Sequence, residues 1–89
     1  MAVHTVKMIG SSIRFHRRKA GLTQAGLARL AGVGKASVFD VEKGKESVQL
    51  DTLSKILSVL NMELSVKSPL MAEFLRTTNA PTPSVEERR

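Results

Sequence analysis

The chain has 89 residues, enough for one small domain with a modest hydrophobic core. It contains no Cys and no apolar run long enough to cross a bilayer, which excludes disulfides, a thiolate nucleophile, a Cys-based metal site and a membrane span. The net charge is +6, and it lies entirely in residues 1–39, which hold seven basic and no acidic side chains, whereas residues 40–89 hold seven basic and eight acidic ones.

Two helices are predicted in the basic N-terminal part of the chain. Apolar residues at helical spacing indicate a first helix over residues 8–19, after an N-terminal arm of residues 1–7. A second helix is predicted over residues 24–31, because Thr23 directly before it is a favourable N-cap. The positive charge concentrated here is what attraction of phosphate groups requires, although a basic face kept for solubility is the alternative.

A third helix is predicted from about Lys35 to Lys43, and the segment that joins it to the second helix has the steric pattern of a helix-turn-helix. Ala28 is small where the two helices would cross, and Gly32 stands where the turn needs a left-handed backbone. Three apolar residues are spaced to face the core from the turn and the third helix: Val33, Val38 and Val41. A helix held in this way is suited to enter the major groove of DNA.

The fourth predicted helix, over residues 50–60, has the most regular helical pattern in the chain. One wide apolar stripe runs along it, formed by Leu50, Leu53, Ile56, Leu57 and Leu60. A stripe of this kind packs in a core. Residues 8–61 are therefore expected to form one helix-turn-helix domain.

The hydrophobic pattern changes from helical to alternating after this helix. Met62, Leu64 and Val66 alternate with polar residues, which predicts a β-strand over residues 62–68 with one buried face. Since the sequence contains no second strand, we expect this strand to pair antiparallel with its copy in a homodimer. A short extended linker is the alternative.

The C-terminal residues predict little regular structure. Residues 69–76 have enough apolar side chains for a short helix or turn. Residues 77–89 combine Pro, Thr, Ser and charged residues without periodicity, which predicts a disordered tail. Together the elements predict a mainly α fold of four to five short helices plus one C-terminal strand.

Residues 9–60 resemble the Cro/repressor-type (XRE-like) helix-turn-helix family. The matching strings are IRFHRRKAGLTQ, LARLAGVGKASVFDVEKG and LDTLSKILSVL. The resemblance implies a lambda-repressor-like bundle that binds double-stranded DNA. The predicted strand takes the place of a fifth helix found in many members, and in this respect the chain resembles the HipB-type antitoxins, dimeric repressors that also bind a kinase toxin.

The resemblance implies phosphate contacts around the helix-turn-helix and one structural ion pair. Gln24 opens the second helix, where free backbone N–H groups and its own amide can hold a DNA phosphate. Lys43 and Lys45 are placed to contact phosphates at the end of the third helix. In similar proteins the residues that match Arg17 and Glu42 form a partly buried ion pair between the first and third helices, so these two are expected to stabilise the fold.

Five residues on the start and outer face of the third helix are expected to contact bases. Lys35 can donate to guanine O6 and N7, Ala36 can meet a thymine methyl, and Ser37 can reach a base edge or a phosphate. Phe39 and Asp40 depart from the polar or basic residues that are usual in the family. Phe39 can pack on thymine methyls or fold back onto the domain surface, whereas Asp40 can accept from cytosine N4.

No sequence pattern indicates catalysis, because a glycine-rich phosphate loop, paired catalytic carboxylates and a Ser/His/Asp arrangement are not found in it. An enzymatic activity, a cofactor and a bound metal are therefore not expected. The sequence predicts a cytoplasmic homodimeric repressor of a palindromic operator, and the resemblance to the HipB-type antitoxins implies a HipA-like kinase toxin as a second partner. A stand-alone XRE-type regulator without a toxin is one alternative, and a protein-inhibitor module whose DNA binding is secondary is the other.

Overall fold

The computed structural model describes residues 2–77 of the chain and the side chains of residues 5–77. Five helices lie in this range: α1 (Ala2–Lys19), α2 (Gln24–Ala31), α3 (Lys35–Lys43), α4 (Leu50–Val59) and α5 (Met71–Thr77). The architecture is mainly α, as predicted. The predicted tail begins at Thr77, which is the last residue of α5, and its other residues, 78–89, lie outside the described part of the chain.

Local signals account for the boundaries of α2 and α3. The Thr23 hydroxyl caps α2 by accepting a hydrogen bond of 2.9 Å from the Gly26 N–H. Gly32 then adopts the left-handed conformation, with a φ of 73°, and its N–H points back to carbonyls in the last turn of α2. The chain thereby reverses within a few residues, and both helices begin and end where the sequence predicts.

The core lies where four helices meet, with α3 packed against α1, α2 and α4. Eight apolar side chains fill it: Ile13, Leu27, Ala28, Val38, Val41, Leu53, Ile56 and Leu57. The stripe predicted on α4 thus supplies three core residues, whereas Leu50 at the first position of that helix is exposed. Because α3 is in contact with all three neighbours, its orientation is set by the core and not by the turn alone.

The first helix is longer than predicted. It begins at Ala2, so the segment predicted to be an N-terminal arm is helical. Val6 continues the inner face of α1 one turn before Ile9, and both side chains border an apolar groove beside Val41 of α3. The predicted start was wrong because β-branched residues weaken the local helical signal in this segment, and packing against the end of α3 overrides it.

Residues 62–68 form neither helix nor strand, and no strand occurs anywhere in residues 2–77. The Met62 side chain packs against the core, and its N–H donates to the Leu57 carbonyl at 2.9 Å. Leu64 and Val66 are 49% and 74% exposed. The predicted strand is therefore not formed in the single chain, because a strand needs a hydrogen-bonded neighbour and the described residues supply none.

Candidate nucleic-acid interface

The outer face of α3 is turned to solvent because Val38 and Val41 hold its opposite face in the core. Ser37 and Asp40 are partly buried on this outer side, and the other predicted residues of the helix are exposed: Lys35, Ala36, Phe39 and Lys43. The face carries two amines, a hydroxyl, a carboxylate, a methyl group and an aromatic ring. These are the donor, acceptor and apolar groups that distinguish base pairs in a major groove.

Phe39 and Lys43 form a pair on this face. The Phe39 side chain is 46% exposed, and the Lys43 Nζ lies 5.1 Å from the centroid of its ring. A cation–π contact at an exposed site contributes roughly 0.5–1 kcal/mol. The ring is neither buried nor fully free, and it presents an apolar surface directly beside a positive charge.

Asp40 and Lys45 form a second pair. The Lys45 Nζ lies 3.5 Å from Asp40 Oδ2, and the side chains of Lys45 and Asp40 are 56% and 37% exposed. An exposed pair of this kind is worth about 0–1 kcal/mol, so either partner can exchange it for a stronger contact at low cost. In the free protein, the ammonium group of Lys45 reduces the repulsion that Asp40 would exert on a nearby phosphate.

Arg17 and Glu42 meet across the α1–α3 contact. Arg17 Nε donates to Glu42 Oε2 at 2.6 Å and Arg17 Nη2 donates to Glu42 Oε1 at 3.0 Å, while Nη1 donates to the Leu22 carbonyl at 2.8 Å. The two side chains are only 10% and 4% exposed. The fork geometry and the third hydrogen bond satisfy most of the guanidinium, as a buried charge requires.

The environment of Glu42 favours its charged form. Burial by itself raises the pKa of the Glu42 carboxyl, but hydrogen bonds from Arg17 and Gln24 outweigh burial and hold that pKa below its ordinary value. The hydrogen bond with Glu42 likewise raises the pKa of Arg17. The pair is therefore charged at neutral pH and ties α1 to the end of α3.

The side chain of Gln24, which was predicted to contact a DNA phosphate, is hydrogen-bonded to Glu42 in the structure. Its Nε2 donates to Glu42 Oε1 at 3.1 Å, so the amide completes the buried network around that carboxylate. Gln24 remains the first residue of α2, where the backbone N–H groups lack acceptors from a preceding turn. A phosphate contact through the backbone thus stays available, while the side chain positions Glu42.

Gly10 is a residue that the sequence analysis missed. A Cβ placed on it would overlap the Val41 carbonyl oxygen and lie 3.0 Å from the Glu42 carbonyl oxygen. Only glycine therefore allows α1 to approach the last turn of α3 so closely. A glycine inside an otherwise helical pattern was the available signal, since such a residue usually marks a packing or functional constraint.

The described part of the chain has neither a metal-ion cluster nor a membrane-spanning helix. Within it, no group of three or more His, Asp or Glu side chains is placed to hold a metal ion. None of its helices is long and apolar enough to cross a membrane.

Comparisons with known proteins agree with this geometry. A helix-turn-helix family model matches residues 13–67. The chain is 31% identical over 67 residues to the uncharacterised HTH-type transcriptional regulator y4mF of Sinorhizobium fredii, a match that covers 75% of this chain and 88% of the relative. A HipB variant in complex with an O2 20mer has a TM-score of 0.63 and 25% identity, over 71% of this chain and 88% of that one. A chain of a HipA–HipB–O2–O3 complex shares the fold, with a TM-score of 0.63 and 24% identity over 71% of this chain and 89% of that one.

Proposed function

The chain belongs to the XRE-type helix-turn-helix family of transcriptional regulators, and we propose that it is a repressor that binds a palindromic operator as a homodimer. The outer face of α3 is the observation that carries this proposal. Val38 and Val41 hold α3 in the core, and the residues of its polar side are exposed or only partly buried. Helix-turn-helix proteins insert such a helix into the major groove, with its N-terminal residues at the base edges.

We assign the base contacts to α3. Lys35 donates to guanine O6 or N7, Ala36 meets a thymine methyl, and Ser37 reaches a base edge or a neighbouring phosphate. Asp40 accepts from cytosine N4, and the exposed edge of the Phe39 ring packs on a thymine methyl. These contacts supply sequence preference.

Phosphate contacts flank the base contacts and set the register of the helix. The backbone N–H groups at Gln24 hold one phosphate at the positive end of α2. Lys43 contacts the backbone from the last turn of α3. Lys45 joins it once its weak pair with Asp40 opens, because the pair is accessible to solvent and contributes little to stability.

The segment of residues 62–68 is the proposed dimer contact. Its alternating pattern suits a strand, Leu64 and Val66 are exposed, and no backbone hydrogen bond joins residues 63–67 to another described residue. Leu64 also borders an apolar groove of about 200 Å³ whose other walls include Val6 and Leu53. Antiparallel pairing of two such segments about a two-fold axis satisfies their backbone groups and covers the apolar side chains.

Selection of a random duplex library with the full chain tests the proposal. We expect an enriched palindrome whose half-sites lie about 34 Å apart, one helical turn of DNA. Binding to the enriched site should be at least about a thousandfold tighter than binding to a mixed-sequence duplex. An affinity for the enriched site no better than that for mixed sequence would refute sequence-specific binding.

A matched pair of variants links the preference to α3. Lys35→Gln should cost about 1–3 kcal/mol at one guanine position and relax the selected motif there. Lys55→Gln is the control, because Lys55 is an exposed residue of α4 and the change removes the same charge. If the two variants select the same motif as the wild type, the assignment of Lys35 to a base contact is wrong.

The similarity to HipB supports an antitoxin role for the same dimer, in which it represses its own operon and binds a kinase toxin. A chain of the same fold occurs in a complex that also contains HipA. The region around α5 is suited to such a partner, because none of the α5 residues is buried and Leu70 and Phe74 are 67% and 49% exposed.

Co-expression with a kinase encoded next to this gene tests the antitoxin role. The full chain should retain the kinase on a column, and a chain that ends at residue 69 should lose it while keeping operator binding. Failure of the full chain to retain the kinase would favour a stand-alone regulator. Retention of the kinase by a chain without operator binding would favour the protein-inhibitor function.

A further inference from the structure

A cleft of about 370 Å³ opens between the C-terminal half of α1 and the outer face of α3. Its lining includes three exposed cations and one aromatic ring: Arg14, Arg18, Lys43 and Phe39. The last two are assigned to DNA contacts above. A group that occupies this cleft in the free protein therefore competes with DNA.

The carboxylate in the cleft, Glu42, does not neutralise the three exposed cations. Its Oε2 accepts a hydrogen bond from Arg17 Nε at 2.6 Å, and its Oε1 accepts from Arg17 Nη2 and from Gln24. Within residues 5–77, the three exposed cations form no ion pair. The cleft therefore gathers uncompensated positive charge, and an anionic group that enters it relieves the repulsion between like charges.

The part of the chain beyond the described residues carries the complementary groups. Glu86 and Glu87 are the one pair of adjacent carboxylates in the sequence, and the apolar Val85 directly precedes them. Two carboxylates match the cations of the cleft, and a valine matches the Phe39 ring, which is 46% exposed beside them. Residues 84–89 are neutral as a whole, because two arginines follow the glutamates, so this attraction acts only at short range.

The linker to these residues is short but long enough to matter. Val85 lies eight residues beyond Thr77, the last residue of α5. Eight extended residues span up to about 29 Å, which is comparable with the length of roughly 27 Å that 18 helical residues give α1. A short linker within one molecule gives an effective concentration of the order of millimolar, so even a weak contact is populated.

We propose that residues 85–87 bind in this cleft in the free protein and compete with DNA for it. The two glutamates pair with the three exposed cations, and Val85 packs on the exposed part of the Phe39 ring. The inference rests on the proposed DNA binding and adds a segment of this chain that weakens it. With a dissociation constant also of the order of millimolar, the segment fills the cleft about half of the time and halves the apparent DNA affinity of each protomer.

A spin label tests where the segment binds, in the full chain and without DNA. Because the chain has no Cys, Ser84→Cys provides a single site for a nitroxide directly before the segment. The label should broaden the backbone amide signals of the three cleft cations more strongly than that of Lys55, which lies on α4 outside the cleft. Glu86→Gln/Glu87→Gln in the labelled chain should remove this difference. Equal broadening at Lys55 and in the cleft, or a difference that survives both replacements, would overturn the proposal.

A truncation tests the competition with DNA. A chain that ends at residue 83 loses two acidic and two basic side chains, so its net charge remains +6. At low salt it should bind a duplex about fourfold more tightly than the full chain, because each of the two clefts in a dimer gains about a factor of two. The difference should disappear at high salt, where exposed ion pairs are screened.

Fluorescence anisotropy of labelled duplexes over a sodium chloride series measures both effects, with circular dichroism to verify that the truncated chain is folded. Equal or weaker binding by the truncated chain at low salt would overturn the competition while DNA binding stands. Failure of both chains to bind any duplex would instead defeat the proposed function, and the spin-label measurement would still decide whether the segment binds in the cleft.

Discussion

The close approach of α1 to α3 at Gly10 makes the substitution Gly10→Ala a sharp test of the packing. In an exposed helix interior this change stabilises a protein, because alanine is about 1 kcal/mol more favourable than glycine. Here the new methyl group would overlap the Val41 carbonyl oxygen and press on the Glu42 carbonyl. Both obstacles are backbone atoms, which cannot rotate away, so α1 has to move as a unit.

The change in unfolding free energy expected for Gly10→Ala is the difference between two opposing contributions. Overpacking of a well-packed contact costs about 1–3 kcal/mol, and obstruction by backbone atoms places this case at the upper end. The gain in helix propensity offsets about 1 kcal/mol of that cost. The net loss is about 2 kcal/mol of unfolding free energy, which lowers the melting temperature of a domain of this size by roughly 8–16 °C.

Urea denaturation followed by far-ultraviolet circular dichroism measures this loss, since the chain has no Trp or Tyr to serve as a fluorescence probe. Protein concentration must be held constant, because a dimer gains stability by mass action. Ser11→Ala is the matched control, since Ser11 is the exposed neighbour of Gly10 on the same helix. A Gly10→Ala protein that is as stable as the wild type, or more stable, would show that α1 does not approach α3 as described.

Three further perturbations address the ion pair and the dimer. Arg17→Met should lower the unfolding free energy by about 3 kcal/mol in urea titrations, because it leaves the Glu42 carboxylate buried without its partner. The pKa of Glu42 is lowered on folding, so its contribution to stability is complete above the ordinary carboxyl pKa of about 4.3 and is lost as the pH falls through the native value. In Glu42→Gln that part of the acid destabilisation should be missing from pH-dependent urea titrations. Leu64→Pro should convert the proposed dimer to a monomer in sedimentation velocity, because proline removes a ladder donor, whereas Ser65→Ala should remain dimeric.

For each of these three substitutions, one experimental result would contradict the prediction. A loss below about 0.5 kcal/mol in Arg17→Met would mean that solvent reaches Glu42 as it does an exposed carboxylate. Parallel pH profiles for the wild type and Glu42→Gln would show that the carboxyl has the same pKa in both states. A dimer that survives Leu64→Pro at the wild-type concentration would remove residues 62–68 from the interface.

The helix-turn-helix was predictable because its signals act between near neighbours in the chain. The Thr23 cap bonds to an N–H three residues on, and the left-handed Gly32 ends α2 within one turn. The spacing of Val38 and Val41 then decided which face of α3 turns inward. Each signal requires only the local backbone, so the sequence alone determined the bounds of α2 and α3 and the side of α3 left to solvent.

Only the tertiary structure decided which distant residues meet. The helical pattern does not say that Gly10 lies against the end of α3, that the Gln24 amide turns to Glu42, or that Arg14 and Arg18 share a cleft with Lys43. These contacts depend on how closely and at what angle two helices pack, which is a property of the assembled core. Residues 62–68 show that a sequence pattern alone does not decide whether an element forms. Their alternating pattern predicts a strand, but a strand forms only when a second segment pairs with it.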